Sequence, residues 1–207
     1  MDPNELVMVV ETKVIEELGM FHGLAFDVEK YLNAIFQPGV LRFMTRGSAE
    51  TDPSFKQLIP YVIINSGDKF LNYVRGSRAG EKRLVGNRSI GIGGHINPVD
   101  DVSLLGVKET YLTAVEREVA EEVNVESRHS DTIAALLNDD TNEVGKVHLG
   151  VVHLWKLDEP RVGKKEQMIT QMSFMTMEEL QTVKDTMETW SQLCLDGLSQ
   201  MTKLTTD

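Results

Sequence analysis

The chain of 207 residues is long enough for one well-buried core, and its 41% hydrophobic and 26% charged residues are typical of a soluble globular domain. No apolar run approaches the roughly 20 residues that span a bilayer. The first residues are acidic where a secretory signal would be basic, so we expect a cytoplasmic protein with no membrane partner. The net charge of -11 argues against a nucleic-acid partner. A single cysteine, Cys194, excludes an internal disulfide, and we expect its thiol to be buried.

The charge is distributed unevenly along the sequence. Between Arg42 and Arg88, nine Lys or Arg residues stand against four Asp or Glu residues, so this stretch carries +5 and the remainder -16. Such a stretch is either a solvated mixed surface or a basic wall for a phosphorylated substrate. The charge pattern alone leaves both interpretations open.

The first half of the chain predicts strands, one helix and a hairpin. In chain order the predicted elements are a strand over Leu6–Val10, a helix over Asp27–Phe36, a turn-rich loop over 46–57, a hairpin of Pro60–Ile64 with Phe70–Arg75, and a glycine-rich strand over Ser89–Ile96. Glycines in a strand indicate crowding of the backbone or close approach of a ligand.

The second half predicts a helix over Thr110–Val123, a strand over Val147–Leu157, a short strand over Ser173–Met175 and a final helix over Thr186–Leu198. Thr176 and Glu179 form a capping-box pattern before a further helix. The mixed order, with hairpins, predicts an α+β or α/β sandwich, in which a mixed sheet packs between helices, rather than a doubly wound parallel sheet.

The helix over Thr110–Val123 carries the chemistry. Glu118, Glu121 and Glu122 stand at i, i+3 and i+4 and therefore project from one side of it. Like charges at that spacing repel, whereas Mg²⁺ prefers carboxylate oxygens and bridges readily to phosphate. An apolar stripe occupies another face of the helix, so this pattern predicts either a solvated acidic face or a metal site.

The neighbouring residues resemble the Nudix box, G-x5-E-x7-R-E-U-x-E-E-x-G-U, where U is a bulky aliphatic residue. The positions in register are Glu109, Arg117, Glu118, Val119, Glu121, Glu122 and Val125. Thr110 is a predicted N-cap of the helix. The segments KQLIPYVII, SIGIGGHI and VGKVHLGVVHLW are similar to a Nudix subgroup described as predicted phosphoesterases.

Two positions depart from the family pattern. Asn124 replaces the last glycine of the box, where we expect it to end the helix in a left-handed conformation. The first glycine aligns either with Ser103, as a substitution, or with Gly94, followed by an insertion of nine residues at about 98–106. We favour the insertion, since loops lengthen at small entropic cost, and expect this loop to be solvent-accessible.

The resemblance implies a Nudix-like α/β/α sandwich over residues 58–207, preceded by an extension over 1–57 that caps the core or contributes to a homodimer. It also implies a cytosolic enzyme that hydrolyses a nucleoside diphosphate linked to another moiety by attack of metal-activated water. Glu118, Glu121, Glu122 and the carbonyl of Gly93 would bind Mg²⁺ or Mn²⁺. Arg117 would orient the glutamates, and Glu109 would assist at the start of the helix.

Residues outside the box complete the predicted site. Glu166 lies where the family often places its general base, although a surface position is an equal alternative. The predicted substrate contacts are Gly94, His95, Arg75, Arg78, Lys82 and Arg83. His148 and His153 are separated by an odd number of positions on one predicted strand and should face opposite sides, so we do not expect them to share a metal.

Two further uses of the fold remain open. One is a module that binds a nucleotide derivative without turnover, because fold alone never guarantees chemistry. The other is an isomerase-like enzyme, which would need a cysteine near the box, whereas Cys194 lies in a predicted C-terminal helix. The sequence does not identify the substrate.

Overall fold

The structure is a computed structural model that describes residues 2–76, 86–100, 106–165 and 169–204. The strands are β1 Leu6–Glu11, β2 Gly23–Ala25, β3 Arg42–Thr45, β4 Phe55–Ser66, β5 Lys69–Arg75, β6 Arg88–Ser89, β7 Gly91–Gly93, β8 Val123–Val125, β9 His129–Asn138, β10 His148–Leu157, β11 Val162–Lys164 and β12 Ile169–Thr176. The helices are α1 Thr12–Leu18, α2 Val28–Ile35, α3 Arg46–Ala49, α4 Val107–Glu122, α5 Glu143–Lys146, α6 Met177–Thr182 and α7 Thr189–Lys203.

A mixed sheet forms the framework, as the sequence predicts. Within the described residues its strand order is β12-β5-β4-β10-β9-β2, with β1 and β7 also paired to β4, β3 to β1, and β6 to β5. A separate two-stranded sheet joins β8 and β11. The expected α+β class is confirmed. No helix among the described residues is long and apolar enough to cross a membrane.

The chain forms two compact units that alternate along the sequence. Unit 1 contains Met1–Pro60, Gly93–Arg117 and Ala135–Val151, and unit 2 contains Tyr61–Ile92, Glu118–Ala134 and Val152–Asp207. The predicted boundary between residues 57 and 58 stays a prediction.

In unit 1 the first strand is fully integrated into the sheet. β1 pairs antiparallel with β3 and with the start of β4, where Val9 lies opposite Gln57. Its alternate side chains Val7 and Val9 are buried with Ala49 of α3. The predicted loop over 46–57 is wrong at both ends, because α3 begins at Arg46 and β4 at Phe55. Phe55–Gln57 is extended because it pairs with β1, although the turn-forming residues before it favour a loop.

In unit 2 the predicted hairpin is confirmed, with β4 and β5 joined at Gly67 and Asp68. Strand β5 also pairs antiparallel with β12, which is longer than the three predicted residues. The capping box at the start of α6 is present, since the Thr176 hydroxyl accepts a hydrogen bond from the Glu179 N–H and the Glu179 carboxylate accepts one from the Thr176 N–H. Gly91 shows the predicted crowding, because a Cβ there would lie 2.1 Å from the ring of Tyr61.

Candidate functional site

Helix α4 is amphipathic, and one face of it is buried. Tyr111, Ala114, Val115 and Val119 are all at most 2% exposed. The helix begins at Val107, directly after Gly106, whose φ of +111° suits glycine. The prediction of Thr110 as N-cap is therefore wrong: Thr110 lies inside the helix, and its N–H donates to the Gly106 carbonyl at 3.2 Å.

The three glutamates of the box lie in the last turns of α4, within unit 2. Glu121 is exposed, and Glu118 and Glu122 are half-buried. In the described ranges, no three His, Cys, Asp or Glu side chains are grouped so that they could hold a metal ion. Like-charged carboxylates at this spacing repel, and their oxygen donors match what a hard divalent cation binds. A shared metal at these residues, and the part of Gly93 in it, stay predictions.

Arg117 has a well-defined anchor in unit 1. Its Nε donates to Asp100 Oδ1 at 2.6 Å, and its Nη2 donates to Asp100 Oδ2 at 2.8 Å and to the His95 carbonyl at 2.9 Å. Asp100 is 1% exposed. Sequence reasoning missed Asp100, because its partner is 17 positions away and no spacing rule connects them. An orienting effect of Arg117 on the glutamates stays a prediction.

The same aspartate corrects the expectation for the proposed insertion. Pro98–Asp100 forms a 3-10 turn in which Pro98 and Val99 are exposed, as expected. Asp100 is buried instead, so the loop is not solvent-accessible throughout. The guanidinium of Arg117 offsets part of the cost of that burial, since its two hydrogen bonds replace hydration of the carboxylate. Ser103, the rival position for the first glycine, lies outside the described residues.

The carboxyl end of α4 also differs from the prediction. The helix stops at Glu122, and Asn124 lies in β8 opposite Gly163 of β11. Among the described non-glycine residues only Gln171 has a positive φ, so the left-handed conformation expected for Asn124 is wrong. Pairing with β11 keeps the chain extended there. Lys165, which sequence reasoning missed, donates from its Nζ to the Ala120 carbonyl at 2.7 Å and places a cation at the helix end.

Glu109 lies in the first turn of α4 and is exposed. A Cβ on Gly106 would meet Glu109 Oε2 at 3.0 Å, so the carboxylate lies close to the residue that starts the helix. An anion in a first turn complements the positive end of the helix dipole. This position agrees with the assisting role that the resemblance implies, which stays a prediction.

The glycine-rich segment leads from β7 into the half-buried Gly94 and His95. The ring of His95 lies edge-on to that of His148, with centroids 5.8 Å apart, and its buried Nε2 has no hydrogen-bond partner within the described part of the chain. Burial first, and then the charge of Arg46 and the proximity of His148, lower the pKa of His95 to about 3. The imidazole is therefore neutral at neutral pH.

Arg75 ends β5 in unit 2. Burial acts to lower its pKa, but the pKa is raised because the charges of neighbouring groups outweigh that effect, Tyr73 first, then Glu188, Tyr61 and Glu122. Glu122 contributes least among these groups. Four other predicted site residues lie outside the described residues, namely Arg78, Lys82, Arg83 and Glu166.

The two histidines of β10 have separate partners. His148 Nδ1 lies 2.6 Å from the Val144 carbonyl in unit 1, and His153 Nδ1 lies 2.9 Å from each oxygen of Asp131 in unit 2. The expectation that they do not share a metal stays a prediction.

Known proteins show which family this architecture represents. No family model matches the chain. Protein YmaB of Bacillus subtilis (strain 168) is 36% identical over 162 residues, which are 76% of this chain and 78% of that protein. The crystal structure of Tm1382, a putative Nudix hydrolase, superposes with a TM-score of 0.79 at 33% identity, over 95% of this chain and all of that one.

More distant structures share the fold alone. The NUDIX domain of Shewanella oneidensis NrtR superposes with a TM-score of 0.52 at 15% identity, over 73% of this chain and 89% of that one. DR0079 from Deinococcus radiodurans also superposes with a TM-score of 0.52, at 16% identity over 81% of this chain and 93% of that one. With the similarity to Tm1382 along almost the whole chain, these findings establish that the protein belongs to the Nudix hydrolase superfamily.

Proposed function

We propose that the protein hydrolyses a phosphoanhydride bond in a nucleoside diphosphate linked to another moiety, with Mg²⁺ or Mn²⁺ as cofactor. The observation that carries this proposal is α4, which buries Val115 and Val119 and carries Glu118, Glu121 and Glu122 at positions i, i+3 and i+4 of the helix. Helix stability gives no reason to collect three like charges at that spacing. A role in cation binding does.

The donor set fits a hard divalent cation by its chemistry, since the three carboxylates supply oxygen ligands, and we assign the Gly93 carbonyl as a further oxygen donor. When bound, such a cation neutralises the diphosphate and lowers the pKa of the attacking water. We assign Glu118 and Glu122 as main ligands and Glu121 as a further ligand or a residue that holds water. Phosphoryl transfer depends largely on positioning and charge stabilisation, so these carboxylates need rigid support.

Two described residues are suited to contact the substrate. Arg75 is a cation, and a guanidinium binds phosphate oxygens in a planar, bidentate manner. His95 is neutral at neutral pH and has an unsatisfied Nε2, so it can form a hydrogen bond with an uncharged part of the substrate. Glu166 remains our candidate for the general base, together with Arg78, Lys82 and Arg83 for phosphate contacts.

The substrate class rests on the family. The NUDIX domain of NrtR was crystallised with ADP ribose. Because that protein is distant, it supports a small nucleotide derivative as ligand without specifying which one.

Binding without turnover is the second candidate. Asn124 lies in β8, so the box ends in a strand pair instead of a glycine turn, and this departure would affect the geometry beside Glu122. A sensor module would bind the nucleotide derivative with a similar affinity but release no product.

Turnover separates the two candidates. The full chain would be incubated with nucleoside triphosphates, nucleotide sugars, dinucleoside polyphosphates and cofactor diphosphates, with Mg²⁺ or with a chelator. We expect release of a mononucleotide or phosphate from at least one compound, only with the cation present. Tight binding of a panel member without any product would favour the sensor, and neither binding nor product across the panel would contradict both.

A further inference from the structure

Unit 1 contains an ion pair between Arg117, a residue of the Nudix box, and Asp100, which is not one of the box positions. Both carboxylate oxygens of Asp100 accept hydrogen bonds from Arg117, at 2.6 and 2.8 Å. The Asp100 side chain is 1% exposed and that of Arg117 is 24% exposed. Two parallel bonds between a guanidinium and a carboxylate fix the orientation of the guanidinium as well as its position.

Asp100 is itself held in place by Asn97. Its Oδ2 accepts a hydrogen bond from the Asn97 N–H at 2.8 Å, and its own N–H donates to the Asn97 carbonyl at 3.0 Å. The Asn97 side chain donates to Glu5 Oε1 at 3.0 Å and to the Leu6 carbonyl at 2.8 Å. The loop that carries Asp100 is therefore fastened to the beginning of β1.

Arg117 is the residue directly before Glu118 in the same helix. Its side chain reaches the Asp100 loop and also the His95 carbonyl, which follows the Gly93-Gly94 segment. Anchoring one side chain at three acceptor atoms fixes the rotation of the helix about its own axis. Because side-chain directions in a helix follow from that rotation, the anchor also fixes where the following glutamates point.

We propose that Asp100 is a positioning residue, which acts through Arg117 to orient the acidic face of α4. This inference rests on the proposed function, since the face matters only if it binds a cation. In this assignment Asp100 acts on the glutamates through Arg117 and has no direct part in the chemistry. The segment 97–100, which follows the Gly93-Gly94 pair, thus supplies a support for the site.

The first test needs no metal. Amide hydrogen exchange of the full-length protein, measured without divalent cations, should become at least about tenfold faster in the second half of α4 in Asp100→Asn. Asp140→Asn is the matched control, because its carboxylate pairs with the buried Lys56 elsewhere in unit 1. That variant should lose stability without a selective change in α4. Equal exchange of α4 in both variants would overturn the proposal.

Coupling to Arg117 distinguishes positioning from general destabilisation. Arg117→Lys keeps the positive charge but loses the two-bond geometry, and it is the milder variant if Asp100→Asn folds poorly. If Asp100 acts through Arg117, Asp100→Asn should change α4 exchange less than twofold in the Arg117→Lys background. Additive effects would show that Asp100 acts by another route and would overturn the proposal.

Binding of Mn²⁺ to the protein tests whether Asp100 affects the proposed site. The concentration of free Mn²⁺ would be measured by electron paramagnetic resonance. Wild type and Asp140→Asn should bind with equal affinity, Asp100→Asn about tenfold more weakly, and the Glu118→Gln, Glu122→Gln double variant hardly at all. Loss of binding only in the glutamate variant would overturn the positioning role and leave the proposed function intact. Unchanged binding in the glutamate variant would overturn both.

Discussion

Unit 2 contains acidic side chains at the end of α4 and at the start of α7, and the two sets have different surroundings. Glu188, the N-cap of α7, is 8% exposed. It accepts hydrogen bonds from the hydroxyls of Tyr61 and Ser191 at 2.6 and 2.7 Å and from the N–H groups of Trp190 and Ser191 at 3.0 and 3.2 Å. The glutamates of α4 are instead repeated at a helical spacing on a half-buried to exposed surface.

This difference distinguishes a glutamate that stabilises the fold from glutamates that we propose bind a cation. The carboxylate of Glu188 is fully hydrogen-bonded by groups of the fold, and it completes the first turn of a helix. Glu118, Glu121 and Glu122 gather three like charges on one side of α4, an arrangement suited to binding a cation. We therefore expect changes at α7 to alter stability and changes at α4 to alter catalysis.

The largest stability effect is expected for Glu188→Ala. The substitution removes the helix cap and leaves the hydroxyls of Tyr61 and Ser191 without their acceptor, so the free energy of unfolding should fall by about 3 kcal/mol. Urea denaturation would measure the change. Asp196→Asn in the same helix removes only an exposed ion pair with Lys184 and should cost less than about 0.5 kcal/mol. Equal costs for the two variants would refute the structural assignment of Glu188.

A smaller effect is expected for Gly91→Ala, which tests the packing around Tyr61. The added methyl group would lie 2.1 Å from the tyrosine ring, so the ring must move and the free energy of unfolding should fall by about 2 kcal/mol. Gly163→Ala is the control, since a Cβ there meets its nearest neighbour at 3.7 Å. A Gly91→Ala protein as stable as this control would show that the packing around Tyr61 adapts without cost.

The reactivity of Cys194 reports how often the packing around α7 opens, and it does so without a substitution. The thiol is fully buried, and burial, followed by the charge of Glu188, raises its pKa well above the ordinary value. Iodoacetamide should therefore alkylate the native protein at least about a hundredfold more slowly than the denatured protein. Similar rates would mean that this region opens frequently.

The sequence predicted the elements that carry a strong local pattern. Periodic apolar residues located α4 and β10, and the Thr176 capping box located α6. The ends of α4 were predicted less well. Pairing of β8 with β11 decides the conformation of Asn124, and the partner strand is about 40 residues away in the chain.

The supports of the candidate site escaped prediction for a similar reason. Asp100 is one acid in an irregular loop, and Lys165 is one cation in a charged run. Each acquires its role from a contact far along the chain, with Arg117 in one case and with the Ala120 carbonyl in the other. A motif records the residues that perform the chemistry, whereas tertiary structure determines what holds them.

The most direct test of the account is Glu122→Gln, measured for rate and for stability. On a substrate that the wild type hydrolyses with Mg²⁺, the rate should fall at least about a hundredfold, equivalent to roughly 2.7 kcal/mol. The metal-free melting temperature should be equal or higher, since one repulsive charge is removed. Glu116→Gln changes an exposed position of the same helix that the motif leaves unspecified, and it should keep both values. A wild-type rate in Glu122→Gln would contradict the assignment of α4 as the site of chemistry.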